Sequence, residues 1–412
     1  MNILWVKTEL LHPLDKGGKL RTYHMLRELK RVHRITYVTL DDGHAAPDAL
    51  ERAKEYCDEA VRIPFHPRVR RSLGFYAGLA LNLLSPLPYA VAKYRSRALG
   101  REISARAASG SVDIVVCDFL APSVNVADDL PCPAVLFEHN VEALLWKRHW
   151  QVARNPLSRG YFRAQWRKMR AFEARECRRY AHVVAVSPED RDLVSGEYSV
   201  DSVSAVSTGV DTAYFRPTNG RPCDTHSIVF TGSMDWMPNE DAVRFFVEQI
   251  LPRIRQAIPD ATFTVVGRNP SRALVELGVR QPGVIVTGGV DDVRPYMEQA
   301  ALYLVPLRIG GGTRLKIFEA MAMGLPVVST RIGAEGLPVT DGQDIVLADS
   351  PEQIANAAIQ LLTDAAAARA LGERASRMVR ERFGWDRPAA EFDAICQGVR
   401  AGARVREGAL RA

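Results

Sequence analysis

The sequence predicts an α/β protein of two wound, Rossmann-like halves, each a parallel sheet with helices on both faces. Three observations carry this. Short apolar runs alternate with longer amphipathic stretches in two successive series, a Gly- and Pro-rich break separates the series, and glycine clusters stand between a strand and a helix. The first series is 2–6, 35–40, 112–117, 134–138, 182–187 and 203–207. The second is 227–233, 262–267, 284–288, 301–306, 326–330 and 345–348. Runs of Val, Ile and Leu without alternation mark strands buried on both faces, as in parallel sheets. The break falls at 209–226, where Gly209, Pro217, Gly220 and Pro222 interrupt a polar stretch. The expected domains are therefore 1–208 and 227–384, joined by a linker at 209–226. A helical tail, 385–412, is expected to pack back on the first domain. Ligands of open α/β sheets bind beyond the carboxyl ends of the strands, so two facing sheets imply a cleft.

Bulk properties set the class. The chain has 412 residues, 47% apolar and 25% charged, an ordinary globular balance. No run reaches the roughly 18–20 apolar residues of a spanning helix, and the apolar opening is too short for a signal peptide. Cys57, Cys117, Cys132, Cys177, Cys223 and Cys396 form no CxxC pair, which suits buried thiols in a reducing, cytoplasmic setting. The net charge is +6, but residues 1–200 hold 31 Lys and Arg against 23 Asp and Glu. The remainder holds 23 against 25. That imbalance points the first half toward an anionic partner: lipid headgroups, a phosphorylated acceptor or nucleic acid.

The densest pattern is 306–330, PLRIGGGTRLKIFEAMAMGLPVVST. A strand leads into Gly310, Gly311 and Gly312, then into a helix starting near Thr313. Such a loop is an anion site, because bare backbone N–H groups and the helix dipole face the ligand and glycine lets a phosphate approach. Arg314 and Lys316 add cations suited to a diphosphate. Glu319 is placed to accept two hydrogen bonds from ribose hydroxyls. The helix ends at Gly324, and Pro326 opens the next strand. The plainer reading is a Gly-rich turn that only packs a helix on a sheet. Arg, Lys and Glu on the same helix weigh against it.

This stretch resembles the donor-site signature of glycosyltransferase family 4, the group 1 glycosyl transferases, and the resemblance covers nearly the whole chain. Residues 206–217, VSTGVDTAYFRP, resemble the family's Asn-Gly-Val-Asp…Phe-x-Pro segment. Residues 230–240, FTGSMDWMPNE, resemble the opening loop of its donor domain. Residues 286–296, VTGGVDDVRPY, resemble the loop that meets the nucleotide base through backbone groups. The resemblance implies a GT-B fold, with two Rossmann-like domains whose parallel sheets face across a cleft. It also implies retaining transfer from a nucleoside-diphosphate sugar, a UDP-sugar foremost, as co-substrate, with no cofactor and no metal. Gly232, Ser233, Asn239, Gly267, Arg268, Gly288, Val290, Arg308, Gly310, Gly311, Gly312, Thr313, Leu315 and Glu319 become the substrate-binding set. Arg314 and Lys316 become catalytic, stabilising the leaving diphosphate. Two positions depart from the family. The first Glu of its Glu-x7-Glu pattern falls on Gly311, and the Arg and Lys of its domain-opening loop fall on Ser233 and Asn239. Arg314, Lys316 and Arg308 are read as supplying that charge.

In the first half, Gly17 and Gly18 precede a helical pattern and again offer N–H groups at a helix start. They lack G-x-G-x-x-G spacing, which argues against a dinucleotide oxidoreductase. His139 follows the strand 134–138, at a sheet's carboxyl edge, where similar enzymes carry a histidine that touches the donor sugar. Asn140 and Glu142 stand beside it as binding candidates, although Glu142 also fits an ordinary first-turn carboxylate. From Trp146 to Tyr180, eleven Lys and Arg face only Glu173 and Glu176, with aromatics interleaved. With 68–92 this suggests a patch for an anionic membrane near a lipid-linked acceptor, peripheral on the inner face. A solvated helix with its aromatics packed inside fits equally, and nucleic acid fits poorly because no binding motif accompanies the charge. Asp190-Arg191-Asp192 spells a DxD, but Ser187 and Pro188 mark it as a helix start rather than a metal site. The expected activity is hexosyl-type transfer in exopolysaccharide or cell-envelope glycan assembly. The rivals are a nucleotide-sugar epimerase of the same shape and a binding paralogue without catalysis.

Overall fold

The computed structural model describes residues 1–14, 17–66, 73–153, 155–218, 224–309 and 315–411, with backbone alone at 73, 75, 76 and 404–411. It divides into two units, Met1–Ser207 with Trp385–Ala412, and Thr208–Gly384.

Unit 1 holds β1 (Asn2–Lys7), β2 (Arg34–Asp41), β3 (Glu59–Pro64), β4 (Ile114–Asp118), β5 (Ala134–Phe137), β6 (His182–Ala185) and β7 (Val203–Ala205). They form one parallel sheet in the order β3-β2-β1-β4-β5-β6-β7. Alternate side chains feed two cores. Ile3, Trp5, Ile35, Tyr37 and Phe137 enter one, while Leu4, Val6, Val38, Leu40 and Leu136 enter the other. Both faces are thus covered, and this is why the strands read as unbroken apolar runs. The helix Asp386–Arg411 closes the first of these cores through Ala389, Phe392 and Cys396, with Trp385 just ahead of it. The Phe392 ring lies 5.6 Å from Trp5 and 5.1 Å from Phe137.

Unit 2 holds β8 (Asp224–Thr231), β9 (Thr262–Val266), β10 (Val284–Val286), β11 (Ala300–Val305), β12 (Val327–Ser329) and β13 (Val346–Leu347), a parallel sheet in the order β10-β9-β8-β11-β12-β13. β8 begins at Asp224, inside the stretch expected as linker, and Val210 already bridges Gly384 within this unit. β3 was not expected from the sequence. It is an edge strand with Glu59 and Arg62 outward and Pro64 at its end, so it lacks the apolar run of the inner strands. In each unit the chain leaves a central strand in opposite directions, between β1 and β4 and between β8 and β11. These are the switch points where open sheets bind ligands.

Candidate active site

Two clusters stand at the carboxyl edges of the strands, one in each unit. In unit 1, Lys7 and Asp118 end β1 and β4, and the pairing of Val6 with Cys117 sets them side by side. Both are buried. Asp118 Oδ2 accepts from Lys7 Nζ at 2.9 Å, Trp5 Nε1 at 2.9 Å and the Thr22 hydroxyl at 2.6 Å. Burial alone would raise the Asp118 pKa, but Lys7 and His139 hold it well below the usual carboxylate range. Burial lowers the Lys7 pKa, and Asp118 opposes that shift. The pair is therefore an ionised, hydrogen-bonded couple taken out of water.

His139 Nε2 lies 2.7 Å from Asp118 Oδ1. Its other nitrogen has no hydrogen-bond partner among the described residues. Burial pushes its pKa down to about 3 against the pull of Asp118, so the ring is neutral at pH 7 and offers one donor and one acceptor. The ring stacks on Phe119 at 3.9 Å, and Phe119 takes a left-handed φ of 77° to get there. Gly18 makes this possible, because a Cβ at that position would meet Phe119 Cζ at 2.6 Å. Gly17 opens the same helix, Gly17–Leu29.

Glu138 is buried, and neither oxygen has a hydrogen-bond partner among the described residues. Burial, with Glu173 nearby, raises its pKa well above the ordinary value. Glu173 accepts from the backbone N–H groups of Glu142 and Ala143 at 2.6 and 3.0 Å and from the Tyr198 hydroxyl at 2.6 Å. It thus caps the helix Glu142–Val152, whose own N-cap, Val141, has no side-chain acceptor. Glu142 is half-buried at the first position, and burial pushes its carboxyl up to about 7. Asn140 is half-buried beside it.

In unit 2, Gly232 follows β8 and Gly267 follows β9, close enough that a Cβ on Gly267 would overlap Gly232 O. A Cβ on Gly232 would meet Lys316 Nζ at 2.6 Å and Asn239 Nδ2 at 2.7 Å. The absent side chain leaves room for the Lys316 ammonium, which donates to Asn239 Oδ1 at 2.9 Å and lies 4.3 Å from the Phe230 ring centre. Asn239 is buried and donates to Ser233 O at 2.8 Å. Arg268 Nε donates to the Ser233 hydroxyl at 2.8 Å. The positions where the family pattern has cations therefore hold Lys316 by its partner and Arg268 through Ser233.

Leu315, Lys316 and Glu319 lie on the helix Leu315–Ala322. Glu319 is half-buried, with no side-chain hydrogen bond among the described residues. Burial pushes its carboxyl up to about 7, with Lys316 pulling the other way. Arg308 is held by Asp241 at 3.0 and 2.6 Å and lies over Phe245, so much of its charge is answered within the protein. Gly288, at φ 74°, and Val290 follow β10. Gly310, Gly311, Gly312, Thr313 and Arg314 lie outside the described residues.

Sequence reasoning missed Lys7, Thr22, Asp118 and Phe119. The available signal was a charged residue closing an apolar strand, in Ile3-Leu4-Trp5-Val6-Lys7 and again in Ile114-Val115-Val116-Cys117-Asp118. Ser187 accepts from Asp190 N at 3.1 Å as N-cap of the helix Pro188–Tyr198. A cavity of about 630 Å³ opens at the amino-end edge of the unit 1 sheet, lined by Pro131, Cys132, His182 and Val399. It gathers no convergent charges and lies away from the Lys7–Asp118 cluster of its own unit.

Two parallel sheets with switch-point clusters of this kind fit the GT-B class, whose shape glycosyltransferases share with some nucleotide-sugar epimerases. A model described as Glycosyltransferase Family 4 matches residues 16–214, and one described as Glycosyl transferases group 1 matches residues 225–364. The chain belongs to that family. It is similar to a D-inositol 3-phosphate glycosyltransferase of Streptomyces bingchenggensis, 29% identical over 252 residues, 54% of each chain. The match thus spans about half the length of that relative. It is also similar to the lipopolysaccharide core biosynthesis mannosyltransferase LpcC of Rhizobium leguminosarum bv. viciae, 28% identical over 261 residues, 59% of this chain and 72% of the relative. The fold matches that of Anabaena HepE, solved with UDP and glucose, at a TM-score of 0.67 and 13% identity over 97% of this chain and 100% of the other.

Proposed function

We propose that the protein moves a glycosyl group from a nucleoside-diphosphate sugar to a hydroxyl of a glycan or lipid-linked acceptor, with retained anomeric configuration. The setting is exopolysaccharide or cell-envelope glycan assembly. The observation that carries this reading is the Lys316–Asn239–Gly232 cluster beside β8, with the half-buried Glu319 one helical turn further on. Together they offer a fixed cation, a glycine-lined backbone and a carboxylate acceptor, which suit a diphosphate and its ribose.

Lys316 neutralises charge that grows on the leaving diphosphate, and Arg314 shares the task by its place in the sequence. Such electrostatic stabilisation needs no resident metal. The sugar C1–O bond to the diphosphate breaks while a C1–O bond to the acceptor forms on the same face. The acceptor's proton passes to the leaving phosphate oxygen, so no protein nucleophile enters. Neutral His139 serves sugar hydroxyls, to which it can donate and from which it can accept. A UDP donor is favoured by the UDP and glucose of the Anabaena structure, and an envelope glycan by the name of the Rhizobium relative.

The test is calorimetric titration with nucleoside diphosphates, followed by product analysis with each matching sugar nucleotide. Binding with transfer of an α-configured sugar from an α-linked donor is expected. No nucleoside diphosphate binding would overturn the reading. Epimerised sugar from donor alone would favour the rival enzyme, and binding with no transfer would favour the inactive paralogue.

A further inference from the structure

The His139 ring is held from several directions. It stacks on Phe119 with 3.9 Å between ring centres, Phe137 lies against it at 4.5 Å, and Asp118 Oδ1 stands 2.7 Å from Nε2. Phe119 is itself pinned, because the Lys7 ammonium lies 4.1 Å from its ring centre. His139 and Asp118 are each at most 2% exposed, so water does not compete for their hydrogen bonds. The second carboxylate oxygen, Oδ2, already accepts from Lys7, Trp5 and Thr22.

This arrangement decides where the ring carries its hydrogen. A neutral imidazole has one N–H and one bare lone pair. The donors at Oδ2 keep Asp118 ionised and acceptor-only, and a bare nitrogen 2.7 Å from Oδ1 would set lone pair against lone pair. Nε2 must therefore carry the hydrogen. Nδ1 keeps the lone pair, buried and without a hydrogen-bond partner among the described residues. A buried acceptor left unmade is costly, which points to a ligand that supplies a donor. Nδ1 lies toward Gly18, where a Cβ would stand 3.8 Å from it, so a group arriving on that side has no Gly18 side chain to displace.

We propose that Asp118, kept ionised by Lys7, is a positioning residue that holds His139 in its Nε2–H form, so that Nδ1 accepts a hydrogen bond from a hydroxyl of the sugar being transferred. The inference rests on the reading of His139 as a sugar contact and narrows it, since the ring's one donor is taken by Asp118. It also sets a specificity. The sugar carries an O–H at the point that meets Nδ1, and an analogue with hydrogen, fluorine or a methyl ether there loses the bond. Asparagine is the informative replacement at 118. Its amide oxygen takes the donors that Oδ2 held, which turns the amide NH2 toward Nε2. The ring must then place its hydrogen on Nδ1, the wrong nitrogen, as happens when the buried aspartate of a serine-protease triad becomes asparagine.

Nitrogen-15 NMR of the full chain, labelled at histidine, reads the tautomer directly, because protonated and bare ring nitrogens resonate far apart. The His139 signals are assigned by their loss in His139→Gln. The free parent is expected to show a bare Nδ1 and a protonated Nε2, and Asp118→Asn the reverse. A residue that only supported the fold would lower the melting temperature without inverting the pattern. Saturating UDP-glucose should move the Nδ1 signal toward that of a hydrogen-bonded nitrogen, while UDP alone leaves it in place. Asp118→Asn should lower kcat/KM for transfer roughly 10- to 100-fold, the loss of one hydrogen bond, with UDP affinity unchanged. A protonated Nδ1 in the free parent overturns the proposal whether or not Asp118→Asn folds. A folded Asp118→Asn that keeps the parent's pattern, or an Nδ1 signal unmoved at saturation, does the same. The tautomer is read in the free chain, so failure of UDP-glucose to bind would overturn the donor reading while the tautomer still decides this one.

Discussion

Replacing Lys7 by Met should destabilise unit 1 more than most single changes do, because it strands a charge. Asp118 is buried and would keep only Trp5, Thr22 and His139 around its carboxylate. Removing one partner of a buried ion pair costs about 3–5 kcal/mol, against a total stability of roughly 5–15 kcal/mol for a typical domain. The double variant Lys7→Met/Asp118→Asn removes the charge as well, while its amide oxygen still accepts from Trp5 and Thr22. It should cost about 1–3 kcal/mol, less than the single variant. The pH dependence has a definite sign. In the parent, the depressed Asp118 pKa contributes stability above the ordinary carboxylate pKa that is lost only as pH falls through the folded value. In Lys7→Met that pKa rises, Asp118 takes up a proton sooner, and the deficit against the parent narrows as pH falls from 7 toward 4. Scanning calorimetry with hydrogen exchange on β1 and β4 reads both effects, and the exchange assigns the transition to unit 1. A loss below about 1 kcal/mol, with the double variant costing at least the sum of its parts, would refute the argument.

Other outcomes follow from the same geometry. Glu319→Ala should weaken nucleoside diphosphate binding by about 1.5–3 kcal/mol in calorimetry, the range for a charge-assisted bond. Because burial holds its carboxyl near 7 in the free protein, the parent's affinity should rise as pH passes from 6 to 8, and Glu319→Gln should flatten that slope. Lys316→Ala and Arg314→Ala should each lower kcat for transfer strongly in folded protein, and transfer should survive EDTA. Glu138 has a raised pKa, so its contribution to stability is complete below the unfolded value and fades as pH rises toward the folded one. Thermal melts of Glu138→Gln should therefore exceed the parent at pH 8 to 9, and the gap should close near pH 5.

The inner strands were legible because burial on both faces leaves an unbroken apolar run, as in Ile3-Leu4-Trp5-Val6. β3 was hidden because an edge strand needs no such run, and its Glu59 and Arg62 read as surface. His139, Asn239 and Lys316 could be singled out from the sequence, but which residue meets which could not. Asp118 comes to His139 through the pairing of β4 with β5, and Lys316 comes to Asn239 across 77 positions. Neither approach has a periodicity along the chain. Gly18 and Gly232 were visible as glycines, while the reasons for them, Phe119 in one case and the Lys316 ammonium in the other, exist only in three dimensions.

The last helix also bears on how the chain can fold as it is made. Trp385, Ala389, Phe392 and Cys396 complete the core that Trp5 and Phe137 begin, and His24 stacks on Trp385 at 5.2 Å. Synthesis runs from the amino end, so β1 through β7 emerge long before the residues that complete the cover on one side of their sheet. Unit 2, contiguous from Thr208 to Gly384, is free to mature first. Until residue 396 leaves the ribosome, the nascent first sheet carries aromatic side chains, Trp5 and Phe137, that lack part of their cover and that a chaperone can grip. A chain ending at residue 384 would keep them so permanently, and should be found in aggregates rather than in solution.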